Sequence, residues 1–426
     1  MKIDFSQFYL FSVPVNFNLS WLKILSSNHL VVRLKSRNSR GREKEGWGEG
    51  VLYQTPCLRC LELLSRELEE FFDQEFTNCR QAREKLSQKF SRFPGLICAF
   101  DLALWDLEAK LKGEPVWRLW GKRKREEVLA AEQIFIPRSR EDLINQTEEI
   151  LARGTKIIKL KAGRNPETDL ENIKQIRRIA GKKIKIQLDF NQSLSFNQAI
   201  WFARQLDSEL ITAWEEPIKF EQFDQLNKLR RKTKIPIILD ESIKKEEKLI
   251  EAIKEKAIDI LNIKIARLGG ITASLQFIKL AQKAGLEIEI GCNEELGIAT
   301  QAQLHLAYFL RKLRVMEALG SQRLGFDIIK EKVEIDKGYF RKLLRRPGWG
   351  VKFIPQKLWG TAGRLRFPVL TKDSPEFPFG FYLHCFRNRL ENKFQNGILF
   401  LKRKIYQERK KSTTPGAEGA GGAGGK

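Results

Sequence analysis

The chain has 426 residues, of which 42% are hydrophobic, so it is long enough for a barrel of about 250 residues together with a second element. Lysine and arginine number 77 against 53 aspartate and glutamate, a formal net charge of +24, which can favour nucleic acid, anionic lipid or a small acidic ligand. The basic residues are scattered through helical segments such as 228–234 and 341–346. We therefore interpret them mainly as a solvated surface and do not expect nucleic-acid binding.

Membrane spans, secretion and a disulfide framework are not expected. No apolar run approaches the ~18 residues of a membrane span, and residues 1–15 alternate apolar and polar like a strand rather than a signal peptide. Of the six cysteines, Cys57 and Cys60 form a CxxC, but no second pair or nearby histidine completes a zinc site. We expect a soluble cytoplasmic protein without a membrane partner, and leave homo-oligomerisation open.

Residues 1–125 have the pattern of an α+β capping domain. Strand-like segments lie at 3–13 and 29–36, a turn follows around 38–46, and helical periodicity takes over at 58–72 and 79–90.

From about residue 128 the chain alternates short apolar strands with amphipathic helices. Eight strands with a helix between each neighbouring pair predict an α/β fold, a parallel (β/α)7β TIM-like barrel. The strand candidates are 128–136, 157–162, 184–190, 210–216, 236–241, 258–264, 286–291 and 314–319.

The predicted domain organisation follows from these patterns. Residues 1–125 form the cap with its substrate-specificity loops, 126–320 form the catalytic barrel, and 321–355 return to the cap. Residues 356–426 are a basic extension, and its Gly-rich end, 412–426, is expected to be disordered.

Charged residues fall at the carboxyl ends of barrel strands 2 to 6, where the βα loops build the active site of such folds. Two-residue periodicity places neighbouring polar residues of strands 2 and 3 on the same face. Because the spacing from strand to strand is near-constant, these side chains are expected to converge on one pocket. In strand order they are Lys159 and Lys161, Asp189 and Asn191, Glu215, Asp240, and Lys264.

Three carboxylates from adjacent strands make an oxygen-ligand set suited to Mg²⁺. A proton α to a carboxylate is very weakly acidic, so the charge of the enediolate must be stabilised as it forms, and a cation supplies that field. A lysine can act as base once nearby positive charge and partial desolvation lower its pKa, and a second lysine on the other face can return the proton. The pattern predicts an enzyme that moves a proton next to a substrate carboxylate.

Several motifs follow one another in a characteristic order: KLK at 159–161, DFN at 189–191, EEP at 215–217, DES at 240–242 and NIKIARLGG at 262–270, preceded by GWGEG at 46–50 and the segment 100–121. In these motifs the chain resembles the enolase superfamily, and within it the muconate-lactonising subgroup, over roughly residues 1–355. The resemblance implies that Asp189, Glu215 and Asp240 bind Mg²⁺. It further implies that Lys161 and Lys264 are the acid/base pair, with Lys159 as an auxiliary cation.

The subgroup members with two lysines include dipeptide epimerases, N-succinylamino acid racemases, o-succinylbenzoate synthases and cycloisomerases. The stretch 291–307 resembles the epimerase and racemase pattern, with Glu295 at the position of a pocket-lining carboxylate. Dipeptide epimerases commonly carry an Asp-x-Asp after strand 8, whereas here only Asp327 remains in GFD at 325–327. We expect a racemase or epimerase of a small carboxylate substrate, an amino-acid derivative such as a dipeptide. The expected substrate contacts are Lys159, Asn191, Glu295 and Asp327.

Three alternatives stay open. One is an o-succinylbenzoate synthase in which Lys161 is the base and Lys264 a cation–π or electrostatic partner, and a second is a cycloisomerase. The third is a non-enzymatic barrel relic that binds RNA or anionic surfaces through 381–411. The cap loops 15–27 and 50–56 carry Phe17, Trp21, Leu22 and Leu52, which suggest a partly apolar substrate side chain.

Overall fold

The computed structural model describes residues 2–18, 23–52, 67–68, 70–206, 211–219, 222–317, 320–357 and 370–371. All of them except Glu67 belong to one compact unit, Met1–Thr55 with Leu68–Lys372. Within this part of the chain, no helix combines the length and the apolar character needed to cross a bilayer. Most of the predicted basic extension, and both cysteines of the CxxC, lie outside the described residues.

The cap contains four antiparallel strands, β1 (Asp4–Asn18), β2 (Lys23–Arg37), β3 (Glu43–Val51) and β13 (Leu370–Thr371). They form one sheet in the order β13, β1, β2, β3. The predicted strands at 3–13 and 29–36 are confirmed but are longer than predicted, because β1 and β2 pair along their whole length, from Asp4 opposite Lys35 to Asn18 opposite Lys23.

Glycines at alternate positions of β3 let a cap helix lie directly on the sheet. Gly46, Gly48 and Gly50 share one face of β3, and a Cβ atom at Gly48 would lie 1.9 Å from the carbonyl oxygen of Ala99. A side chain there would collide with the backbone of the helix Pro94–Lys112, so only glycine allows this close approach.

Eight parallel strands close into the predicted barrel. Each strand pairs with the next, and the first and last pair through Met316 opposite Ala130. Most strand residues are buried on both faces, as expected for a sheet wrapped by helices. The strands are β4 (Val128–Ile134), β5 (Ile157–Lys161), β6 (Lys185–Asp189), β7 (Ile211–Glu215), β8 (Ile237–Leu239), β9 (Ile260–Ile263), β10 (Glu287–Ile290) and β11 (Met316–Glu317).

Helices connect the strands, and several begin at a side-chain cap that the sequence contains. Ser139, Asn165 and Ser195 each accept a hydrogen bond from a backbone N–H of the first turn. The described helices are Cys79–Lys89, Pro94–Lys112, Val116–Trp120, Arg140–Ala152, Pro166–Ala180, Phe196–Gln205, Phe223–Thr233, Glu246–Lys254, Ile265–Leu268, Ile271–Lys283, Gly297–Phe309 and Gly320–Leu324.

The chain after the barrel contacts both the barrel and the cap. The short strand β12 (Tyr339–Phe340) pairs antiparallel with β4. Phe353 lies with its ring centroid 4.5 Å from that of Trp47 in β3, and the Trp349 N–H donates to Asp106 of the cap at 2.8 Å. The domain boundaries given above stay a prediction.

Candidate active site

The carboxyl ends of β6, β7 and β8 bring three carboxylates to the barrel mouth. Asp189 and Glu215 end their strands and lie opposite each other in the parallel register, and Asp240 directly follows β8. Asp189 and Glu215 are 0% exposed and Asp240 is 2% exposed. Buried carboxylates require compensating charge, and neighbouring cations provide it.

A lysine lies on each side of this carboxylate cluster. Lys161, at the end of β5, donates to Asp189 Oδ2 at 2.5 Å. Lys264, just after β9, has its Nζ 2.9 Å from Asp240 Oδ2. Because β5 and β9 are separated by three strands, the two ammonium groups approach the cluster from opposite sides.

Lys159 lies deeper in the barrel than Lys161, two residues earlier on the same strand. It is 0% exposed and forms ion pairs with Glu215 and Glu317, while its Nζ is 3.8 Å from Asp189 Oδ2. Burial lowers the pKa of Lys159, but Glu215, Glu317 and Asp189 outweigh burial and hold the pKa well above its usual value. Lys159 therefore stays cationic.

The carboxylates differ in their protonation equilibria. Burial raises the pKa of Asp189, but Lys161 and Lys159 outweigh it and hold the pKa below its usual value. Arg267 and Lys264 lower the pKa of Asp240 in the same way against burial. The pKa of Glu215 is raised well above normal, because burial and the repulsion of Asp189 and Asp240 exceed the attraction of Lys159. An additional positive charge beside Glu215 would relieve this repulsion.

The residues at the mouth fit a divalent cation. Oxygen atoms of Glu215, Asp240 and Glu241 lie within 4.8 Å of one another, and hard oxygen donors are the ligands that Mg²⁺ prefers. Among the described residues, Glu241 Oε2 is buried without a hydrogen-bond partner. Asp189 lies outside this group of three, and its Oδ2 accepts from Lys161. Glu241 was not among the predicted ligands, although it is the middle residue of the DES motif.

Sequence reasoning also missed a layer of buried polar side chains below the mouth. Glu317 in β11 accepts from Gln133 of β4 at 2.5 Å and from the Cys292 N–H at 3.1 Å. Asn262 in β9 donates to Glu215 at 3.2 Å and to Glu317 at 3.3 Å. The sequence feature that could have predicted this layer is the presence of polar residues at inward-facing positions of otherwise apolar strands.

The predicted substrate contacts fall in two places. Asn191 accepts weakly from Lys161, at 3.4 Å, and so lies at the mouth. Glu295 is fully buried and accepts from the Asn293 N–H at 2.6 Å, and burial raises its pKa to about 7. Asp327 accepts from the backbone N–H groups of Gly297 and Ile328, at 2.9 and 2.7 Å. Both carboxylates thus bind backbone here, and their contact with a substrate stays a prediction.

The proposed specificity loops of the cap lie mostly outside the described residues. Trp21 and Leu22, and the side chain of Phe17, are not described. Leu52 is described and is 5% exposed.

A closed parallel barrel with carboxylates between two lysines at its mouth, joined to an antiparallel cap, defines the enolase superfamily class of proteins. A family model described as Enolase C-terminal domain-like matches residues 142–357, just over half of the chain. The chain belongs to this family, and within the enolase superfamily to the muconate-lactonising subgroup.

Relatives and solved structures agree with this assignment. The N-succinyl-L-Arg/Lys racemase of Bacillus cereus is 26% identical over 65% of this chain and 74% of its own length. The chloromuconate cycloisomerase of Pseudomonas putida is 25% identical over 84% of this chain and 98% of its own. A dipeptide epimerase of Cytophaga hutchinsonii, solved with Mg and D-Ala-L-Val, shares the fold with a TM-score of 0.76 at 24% identity, covering 87% of this chain and 100% of that one.

All of these relatives are enzymes, and so is this chain. The relatives that match this chain are named as racemases, epimerases, a dehydratase and a cycloisomerase.

Proposed function

We propose that the chain is a cation-dependent racemase or epimerase of amino-acid derivatives, acting on the proton α to a carboxylate. The supporting observation is the placement of two buried lysines, Lys161 and Lys264, on opposite sides of one carboxylate cluster. A carbon atom between them would have one ammonium group on each face. Inversion at that carbon needs this arrangement, because one face loses a proton while the other gains one.

In the proposed reaction one lysine is neutral and removes the proton, while the other is protonated and delivers one. Burial and Arg267 lower the pKa of Lys264, but Asp240 outweighs them, so that the pKa lies above its usual value. The protonated form of Lys264 is ready to act as the acid. The buried cation Lys159 adds positive charge next to Lys161, since the Nζ atoms of both lysines contact Asp189 Oδ2.

The cation expected from the family is Mg²⁺, for which Asp189, Glu215 and Asp240 are the proposed ligands. When bound, it supplies positive charge that stabilises the enediolate of the substrate. Glu241 is the added candidate ligand or orienting group, since its unpartnered oxygen lies beside Asp240.

The proposed substrates are N-acylamino acids and dipeptides. Relatives are named for racemisation of N-succinylamino acids and for epimerisation of dipeptides. In this chain the one acidic residue at the expected ammonium position, Asp327, is engaged by backbone N–H groups. This engagement favours an N-acylated substrate over one with a free ammonium group.

Exchange of the α-proton in deuterated water tests the proposal. The protein is incubated with Mg²⁺ and a library of N-acylamino acids and dipeptides, and deuterium uptake is read by mass spectrometry. We expect uptake into at least one substrate, and we expect Lys161→Ala and Lys264→Ala each to reduce racemisation by about 10³-fold or more. Lys219→Ala, an exposed lysine at the same end of the barrel, is the matched control and should behave as wild type.

A lyase is the second candidate, because a dehydratase is also among the relatives. The same lysines could then serve a single-base elimination. Loss of water from a cyclohexadiene carboxylate, with no deuterium in any amino-acid derivative, would replace the racemase proposal with an o-succinylbenzoate synthase.

A further inference from the structure

The face of the barrel opposite the carboxylate cluster is strongly basic. We call it the amino-terminal face, since it is formed by the segments that lead into the barrel strands. Twelve exposed lysine and arginine residues lie in six of these segments, namely 122–124, 156, 182–185, 232–234, 254–256 and 311–312. In sequence these residues are dispersed over almost 200 positions, and closure of the barrel brings them to one face.

The segments of the amino-terminal face are joined to their neighbours. The Lys185 N–H donates to the carbonyl oxygen of Lys156 at 3.0 Å, and the Lys124 N–H donates to that of Tyr308 at 2.9 Å. The guanidinium of Arg125 donates to the carbonyl oxygens of Leu310 and Leu313, at 3.0 and 3.3 Å. The basic residues are therefore neighbours around the ring of strand ends.

Among the described residues, fewer acidic than basic side chains lie on this face, and two of the acidic ones, Glu127 and Asp259, are ion-paired with Arg341 and Arg230. Glu126 and Glu287 of the same face are ion-paired with Arg123 and Arg314, which are additional to the exposed set. Glu255 is the remaining exposed carboxylate in the six segments; the loop 207–210 lies outside the described residues.

Helix stability explains only part of the pattern. Cations near a helix carboxyl end are stabilising by about 0.3–1 kcal/mol, which accounts for Lys232 and Lys254 in last turns. Lys182 and Lys183 lie beyond the end of their helix, and 122–124 precede β4 after a glycine. The proposed reaction uses the opposite end of the barrel, so these charges do not serve it.

We propose that the amino-terminal face binds double-stranded nucleic acid through its phosphate backbone, without reading base sequence. Eleven of the twelve exposed basic residues are lysines, which act as point charges on phosphates rather than as bidentate base readers. A duplex presents a dense line of phosphates, and binding releases its counterions.

A membrane surface fits the amino-terminal face less well than a duplex. Stable attachment to lipid takes an apolar anchor in addition to basic charge. The large exposed apolar side chains found among the described residues are Trp201 and Ile250, which lie within the helices Phe196–Gln205 and Glu246–Lys254 and not in the six segments.

Fluorescence anisotropy with a labelled duplex of about 20 base pairs tests the proposal on the full chain, as a function of salt concentration. The test variant combines Lys156→Glu, Lys182→Glu and Lys183→Glu on the amino-terminal face. The control combines Lys219→Glu, Lys244→Glu and Lys245→Glu, three exposed lysines at the opposite end of the barrel. Both variants have the same net charge, so only the location of the change differs.

We expect the test variant to lose at least about tenfold in affinity near 0.1 M salt and the slope of log K against log salt to fall by about 2 to 3. The control variant should bind as wild type.

Equal losses of affinity in both variants would overturn the proposal and leave overall charge as the cause of binding. No loss in either variant would also overturn it and leave the extension 372–426 as the cause. Absence of duplex binding by the wild type, or binding to phosphatidylserine vesicles instead, would overturn it as well. Thermal melting checks folding, and Lys→Gln versions replace any variant that fails to fold.

Discussion

Glu241 lies beside Asp240 at the barrel mouth and has a buried carboxylate oxygen with no hydrogen-bond partner among the described residues. Replacing it by glutamine keeps the shape and removes one negative charge from the proposed cation site. We expect Glu241→Gln to raise the Mg²⁺ dissociation constant by about tenfold or more, as changes to residues around metal sites do. Isothermal titration with Mg²⁺ measures this directly. Glu251→Gln, at an exposed ion pair with Lys248, should leave the constant unchanged, and equal constants in wild type and Glu241→Gln would remove Glu241 from the site.

At the residue scale, the charged residues at the ends of the barrel strands could be predicted from the sequence, but the side chains that they pair with could not. Lys161, Asp189, Glu215, Asp240 and Lys264 follow from period-two alternation and from the regular length of a βα unit. The pairing of Lys159 with Glu317 depends on contact between strands 158 positions apart in sequence, and a single sequence carries no signal for such a contact.

In the cap, the helix Pro94–Lys112 packs directly against strand β3. A Cβ atom at position 48 would lie 1.9 Å from the Ala99 carbonyl oxygen and 2.4 Å from the Ala103 nitrogen, both backbone atoms. We therefore expect Gly48→Ala to push the helix off the sheet and to lower the free energy of unfolding by roughly 1–3 kcal/mol. Urea unfolding measures the change. The exposed strand residue Glu43 gives the control Glu43→Ala, which should unfold as wild type; a Gly48→Ala variant of unchanged stability would contradict the packing argument.

At the element scale, the strand and helix types of the barrel were predictable because each unit alternates a short apolar strand with an amphipathic helix. The observed strands fall within all eight predicted segments. The lengths of β1 and β2 were not predictable, because the hairpin pairing extends through polar residues such as Asn18 and Lys23. The longer pairing of β1 with β2 is made by backbone hydrogen bonds, which the pattern of side chains in the sequence does not predict.

At the scale of the whole molecule, carboxylates of the cap join it to the barrel. They lie at the amino ends of two barrel helices. Glu49 of β3 accepts from the N–H groups of Leu296 and Ala299, at 2.6 and 3.0 Å, at the start of the helix Gly297–Phe309. Asp101 accepts from the Thr272 N–H at 3.1 Å at the start of the helix Ile271–Lys283. A negative charge at a helix amino end is stabilising, and these two contacts hold the cap over the loops after β9 and β10. Their partners are more than 170 residues away in sequence, so composition and periodicity could not identify them.

The burial of Asp101 at the cap–barrel junction makes the stability of the molecule depend on pH. Burial raises the pKa of Asp101 to about 6 from 3.8, against the opposing effects of Arg83 and the Thr272 hydrogen bonds. A carboxyl with a raised pKa in the folded state binds a proton more tightly there than in the unfolded chain. Its contribution to stability is therefore complete below pH ~4 and is lost as the pH rises through about 6, a change of about 3 kcal/mol. The test compares urea unfolding of wild type and Asp101→Asn between about pH 4.5 and 7.5. We expect wild type to gain stability relative to the variant as the pH falls through this range, whereas parallel curves would show that Asp101 does not titrate at the cap–barrel junction.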